Sequence, residues 1–70
     1  MSYTFLMLDG ASLRAERVRL GMSQRDLAAE LDVPANTVAR WERGELAIHH
    51  PRVLELALEM IAQQAKEVLA

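Results

Sequence analysis

Apolar residues return at helical intervals along most of the chain. Leu27, Ala28 and Leu31 share one face of a short segment, and Val38 and Trp41 do the same in the next. Toward the end, Leu54, Leu58, Ile61, Ala65 and Val68 recur at alternating spacings of four and three. The residues between these stripes punctuate them. Asp9 or Ser12 can cap a first helix through about Leu20, with Gly21 as its stop. Ser23 opens a second helix, and Asp26 three residues on completes a capping-box-like pair with a shorter acid than usual; the helix ends near Asp32. Pro34 suits the first turn of a third helix, where its missing N–H has no helical partner in any case, and Gly44 supplies a left-handed stop after Arg43. A loop from Glu45 to His50 leads to Pro51, which opens a long amphipathic helix or two helices with a break. Residues 1–8 alternate only weakly and are compatible with an edge strand, an extended arm or a loose cover. The expected fold is all-α, four or five helices in a single domain spanning residues 1–70.

Composition supports this reading. Only three residues are aromatic, whereas Ala, Leu, Glu and Arg abound, a mixture that favours helix. A chain of 70 residues buries only about 60% of its unfolded surface, so its stability is marginal without help. There is no cysteine, which excludes disulfides and thiolate metal sites and makes a reducing cytoplasm the expected setting. The longest nearly apolar run, Tyr3 to Leu8, is too short to span a bilayer and lacks the marks of a secretion signal. A soluble, cytoplasmic protein of bacterial or phage origin is expected.

Two short helices, 24–32 and 34–43, joined by a turn of about three residues must cross steeply rather than pack antiparallel. The small side chain of Ala28 lets them touch. The segment 22-MSQRDLAAELDVPANTVARWERG-44 resembles the lambda-repressor-like, Cro-type (XRE-like) family of helix-turn-helix DNA-binding domains, through its S-Q, L-A, short turn, V-x-x-W-E and closing glycine. The likeness extends through the flanking helices to residues 11–61. It implies a compact DNA-binding domain whose third helix enters the major groove.

On a helical wheel Asn36, Arg40 and Arg43 cluster on one side, with Ala39 beside them and Thr37 near the margin, while Val38, Trp41 and Glu42 fall opposite. Asn36, Thr37 and Arg40 are therefore the base-reading candidates. Arg40 has the geometry to grip guanine through two hydrogen bonds, and Asn36 adenine. Ala35 joins them only as a methyl that can touch thymine, where many relatives carry Gln or Ser. In the resemblance Gln24 reaches a DNA phosphate with help from the helix N-terminus. Ser23, Arg25, Arg43 and Arg52 are further phosphate candidates by position. Relatives pair the acid at Glu42 with an arginine of the first helix, which implies an Arg17–Glu42 ion pair here. Trp41 is expected to pack rather than stack on bases. Asp32 stands where many relatives have glycine and tolerates the left-handed conformation better than most residues. Adjacent His49 and His50 lack a third ligand nearby, so no metal and no cofactor is expected.

The formal net charge is −2, an awkward sign for meeting a polyanion. It is unevenly placed: residues 10–52 hold seven arginines against six acids, residues 53–70 one lysine against three glutamates. Phosphate contacts are local, so the arginine-bearing face can approach DNA while the acidic end points away. The last helix carries more apolar surface than the core needs, which predicts a homodimer through the seam Leu54, Leu58, Ile61, Ala65 and Val68, with Val53, Ala57 and Met60 widening it and residues 1–8 adding to it. The leading expectation is a repressor of its own operon on a mobile element, reading a palindromic operator in double-stranded DNA. The alternative is an antitoxin- or antirepressor-type module with a protein partner and DNA binding secondary. No constellation for an enzyme is present: no cysteine, no glycine-rich phosphate loop, and histidines only in the loop.

Overall fold

A computed structural model describes residues 8–69, with side chains through residue 65. Four helices follow one another: α1 (Gly10–Arg19), α2 (Gln24–Leu31), α3 (Ala35–Arg43) and α4 (Pro51–Leu69). No strand occurs among the described residues, and the expected all-α fold is the one found. The arm assigned to residues 1–8 lies outside the described residues except for Leu8, which is buried.

Local chemistry sets each boundary. Asp9 is extended and its Oδ1 accepts the Ser12 N–H at 2.8 Å, so Asp9, not Ser12, caps α1. At α2 the Ser23 Oγ accepts from the Asp26 N–H and the Asp26 carboxylate accepts from the Ser23 N–H, both at 3.0 Å. That reciprocal pair satisfies two donors at the helix start, and the Ser23 side of it contributes about 1 kcal/mol. Asp32 ends α2 at φ 58°, in the left-handed region. Its N–H reaches the Ala29 carbonyl and the Val33 N–H reaches that of Ala28, which ties off the last turn. Pro34 differs from expectation: it is the residue before α3, extended at φ −62° and ψ 145°, and the helix begins at Ala35. The ring's fixed φ fits that extended position as well as a helical one. Gly44 closes α3 at φ 75°, and the backbone beyond it folds back so that the Glu45 N–H bonds the Arg40 carbonyl at 2.9 Å. The final stretch is one helix, not two.

The core gathers residues from every helix: Leu8, Leu13, Leu27, Ala28, Val38, Leu54 and Leu58, with Leu20, Met22, Leu31, Val33, Trp41, Ile48 and Ile61 packed around them. Burying each of the larger side chains contributes roughly 1.5–3 kcal/mol. Helix α3 rests on both α2 and α1. Its seat on α1 is close: a methyl at Gly10 would overlap the Trp41 carbonyl oxygen and lie 2.9 Å from that of Glu42. Glycine is required there because nothing larger fits between the first turn of α1 and the last turn of α3.

This core corrects the dimer seam. Leu54 and Leu58 are buried inside the chain's own core, so they present nothing to a partner, and Ile61 is partly buried against that core. The physical reason is simple. In so short a chain the core consumes the most regular apolar stripe first. Ala65 is exposed, and the side chain of Val68 lies outside the described residues. The apolar side chains that α4 leaves in water are others: Val53, Leu56 and Met60.

Candidate nucleic-acid interface

Helices α2 and α3 pack against each other, and α3 divides into two faces. Val38 is fully buried and Trp41 is partly buried against the core. Asn36, Arg40 and Arg43 are exposed on the opposite side, as is Ala35, while Thr37 and Ala39 are half-buried at its margin. Among the described residues Arg40 has no ion-pair partner, so its guanidinium is available to a ligand. Arg43 is engaged: its Nε lies 2.8 Å from Glu45 Oε2 on the exposed surface. That pair is weak in solvent and can be exchanged for a phosphate.

What keeps the α3 outer face pointing outward is a polar clamp beneath it. Arg17 of α1 donates from Nε to Glu42 Oε2 at 2.7 Å and from Nη2 to Glu42 Oε1 at 3.1 Å. Its Nη1 donates to the Met22 carbonyl at 2.8 Å, in the turn that leads to α2. Gln24, the first residue of α2, donates from Nε2 to the same Glu42 Oε1 at 3.0 Å. One carboxylate therefore collects α1, α2 and α3. Its side chain is only 3% exposed and that of Arg17 13%. Burial pushes the Glu42 carboxyl up, but the hydrogen bonds from Arg17 and Gln24 and the positive charges of Arg17 and Arg14 outweigh it, so the group sits below the ordinary glutamate range. The same bond to Glu42 holds the Arg17 guanidinium above its usual value, so the pair stays ionised. No buried side-chain polar atom among the described residues lacks a partner.

The remaining candidates divide by position. Ser23 sits at the α2 N-terminus with its hydroxyl committed to the cap. Gln24 gives one amide N–H to Glu42, which leaves the second N–H and the amide oxygen for a ligand. Arg25 is exposed on the first turn of α2. Arg52 belongs to α4 rather than to the α2–α3 pair and lies 3.5 Å from Glu55. His49 and His50 are exposed in the α3–α4 loop, and no cluster of three or more metal-ligating side chains occurs among the described residues. Sequence reasoning had no signal for Gly10, whose requirement arises only from the contact with α3, or for the Gln24–Glu42 bond.

Residues 13–59 match the helix-turn-helix family, a span that includes α2, α3 and the whole clamp. The chain belongs to that family of XRE-like, DNA-binding transcription regulators. It is also 49% identical over 39 residues to a protein of Pyrobaculum aerophilum named for an HTH-type transcriptional regulatory role. That stretch is 56% of this chain but 16% of the relative, so the likeness concerns a domain and not the whole of that protein. No solved structure matches the chain. Helix-turn-helix regulators are generally not enzymes, and no described helix is long and apolar enough to cross a membrane.

Proposed function

We propose that this helix-turn-helix domain is a sequence-specific regulator that represses its own operon as a homodimer on a palindromic operator. The observation that supports it is the division of α3: an outward edge of Asn36 and of Arg40, which has no ion-pair partner among the described residues, backed by Glu42, whose nearly covered carboxylate is bonded to Arg17 and Gln24. In this reading Arg40 grips a guanine, Asn36 an adenine, and Thr37 and Ala35 border them. Ser23, Gln24 and Arg25 at the start of α2 meet a phosphate together with the helix N-terminus, and Arg43 leaves Glu45 for another. Few phosphates are contacted, so affinity depends modestly on salt; a log–log slope steeper than about −8 contradicts the reading. Two subunits present their α3 helices about 34 Å apart, matching successive major grooves.

Selection of bound DNA from a random pool tests the reading. A palindrome with half-sites one helical turn apart is the expected product; unstructured enrichment overturns it. On the selected site, Arg40→Ala should cost about 1–3 kcal/mol of binding and relax the preference at one base pair. Its thermal unfolding should not move, because Arg40 is exposed and unpaired.

A further inference from the structure

A carboxylate stands among the arginines at the closing end of α3. Arg43 is the last residue of that helix, and Gly44 at φ 75° turns the backbone back on it. The Glu45 N–H then bonds the Arg40 carbonyl at 2.9 Å, and the Leu46 N–H bonds the same oxygen at 3.3 Å. This return fixes the Glu45 backbone beside the arginines it follows, so little chain entropy is lost in bringing its side chain to them. Arg43 donates from Nε to Glu45 Oε2 at 2.8 Å and from Nη2 to Glu45 Oε1 at 3.1 Å. Two parallel bonds to two oxygens are also the pattern in which a guanidinium takes a phosphate, so that edge of Arg43 is already filled. The bonds from Arg43, and then the positive charges of Arg43 and Arg40, hold the Glu45 carboxyl below the ordinary glutamate range. Two carboxylates thus attend α3 in opposite ways. Glu42 is 3% exposed and locked to Arg17, whereas Glu45 and Arg43 are 53% and 54% exposed, a pair weak enough to exchange.

We propose that Glu45 is an internal stand-in for a DNA phosphate: it occupies Arg43 in the free chain and is displaced when a duplex binds. The inference rests on the reading of Arg43 as a phosphate contact and adds the group that opposes it. Displacement weakens binding in two ways. The Arg43–Glu45 bonds are given up, and the released carboxylate is left close to the phosphate that replaced it, like charge beside like. Neither effect depends on base sequence, so Glu45 weakens attachment to every duplex by a similar factor. Attachment to arbitrary DNA, which depends on phosphate contacts alone, is thereby kept low. A site that also engages Arg40 and Asn36 has base contacts to offset the loss. The released carboxylate in addition gathers a counterion in place of the one the phosphate gives up, so Arg43 adds little to the salt dependence.

Titration of the full chain onto a fluorescently labelled duplex of arbitrary sequence, followed by anisotropy, tests it. Glu45→Gln should bind about three- to tenfold more tightly than the wild type for each subunit engaged. Its log–log salt slope should steepen by about 0.9 per subunit, the full share of one phosphate contact. Glu30→Gln is the control. It removes an equal charge from the exposed surface of α2, where Glu30 has no ion-pair partner among the described residues. It should change affinity less than about twofold. In an Arg43→Ala background the gain from Glu45→Gln should shrink to that of the control, because no guanidinium is left to release. An exposed pair adds little to stability, so thermal melts of these variants should stay close to the wild type. Equal or weaker binding by Glu45→Gln overturns the inference. A gain of the same size with and without Arg43 also overturns it, since that marks a plain effect of net charge. A palindrome selected by a wild type that gains nothing from Glu45→Gln leaves the sequence-specific regulator standing alone. The expected gain on arbitrary duplex, with no common sequence in the selected pool, does the reverse.

Discussion

Helices α3 and α4 solve the same inward problem with different outward results. Each turns a buried aliphatic edge to the core, Val38 in one and Leu54 with Leu58 in the other. Helix α3 adds to that edge an ionised carboxylate held by Arg17 and Gln24, and what it leaves in water is polar: Asn36 and Arg40. Helix α4 leaves Val53, Leu56 and Met60 in water. A periodic stripe therefore says that a helix has an inside. The residues left over after that inside is filled distinguish the two outer faces, one polar and one apolar.

The sharpest way to break the contrast is to remove the carboxylate. Glu42→Ala leaves the part-buried Arg17 guanidinium without its carboxylate, its bond to the Met22 carbonyl remaining, and should lower stability by up to about 3–5 kcal/mol, measured by urea denaturation. A loss under about 1 kcal/mol would mean that the clamp is decoration and that α3, like α4, is held by aliphatic packing alone. Next, Leu58→Ala should cost about 2–5 kcal/mol, whereas Leu56→Ala two residues away should stay within about 0.5 kcal/mol for the monomer. Equal losses at the two positions would erase the inner and outer faces assigned to α4.

Acid distinguishes the two helices more gently. The Glu42 carboxyl is held below its ordinary value of 4.5 in the fold. Its contribution is therefore complete above that value and is lost as pH falls through the lower folded value. Glu42→Gln should flatten the stability–pH curve below about pH 4.5, while variants on the α4 stripe should leave its shape unchanged. Residual acid dependence is expected from Asp9 and Asp26, whose capping bonds to Ser12 and Ser23 also hold them low. The smallest effect belongs to the turn between α2 and α3. Asp32 sits at φ 58°, so Asp32→Gly should raise stability by about 0.5–1 kcal/mol in thermal melts.

Much of this architecture was legible in the residues themselves. The capping box at Ser23 and Asp26, the left-handed stop at Gly44 and the inward side of α3 all depend on local spacing, which a sequence displays directly, whereas the left-handed Asp32 was implied by the glycine that relatives carry there. The family resemblance pointed to Arg17 as the partner of Glu42; the structure shows why that partner is needed. The seam on α4 was misassigned for a different reason. Periodicity finds the best apolar stripe but not whether the chain's own core or a second molecule covers it, and Leu54 and Leu58 went to the core. Pro34 shifted by one position because an extended residue before a helix and the helix's first residue share nearly the same φ. Gly10 was invisible, since only the approach of Trp41 and Glu42, some thirty residues away, gives it a role.

That approach has a wider outcome. Because the opening turn of α1 is seated directly on the closing carbonyls of α3, the distance by which the outer face of α3 projects from the body of the protein is governed from behind. A side chain at residue 10 would act as a wedge driven between the two rods, lifting the closing end of α3, where Arg40 stands. The placement of one helix's outer face thus depends on an atom missing from the helix behind it.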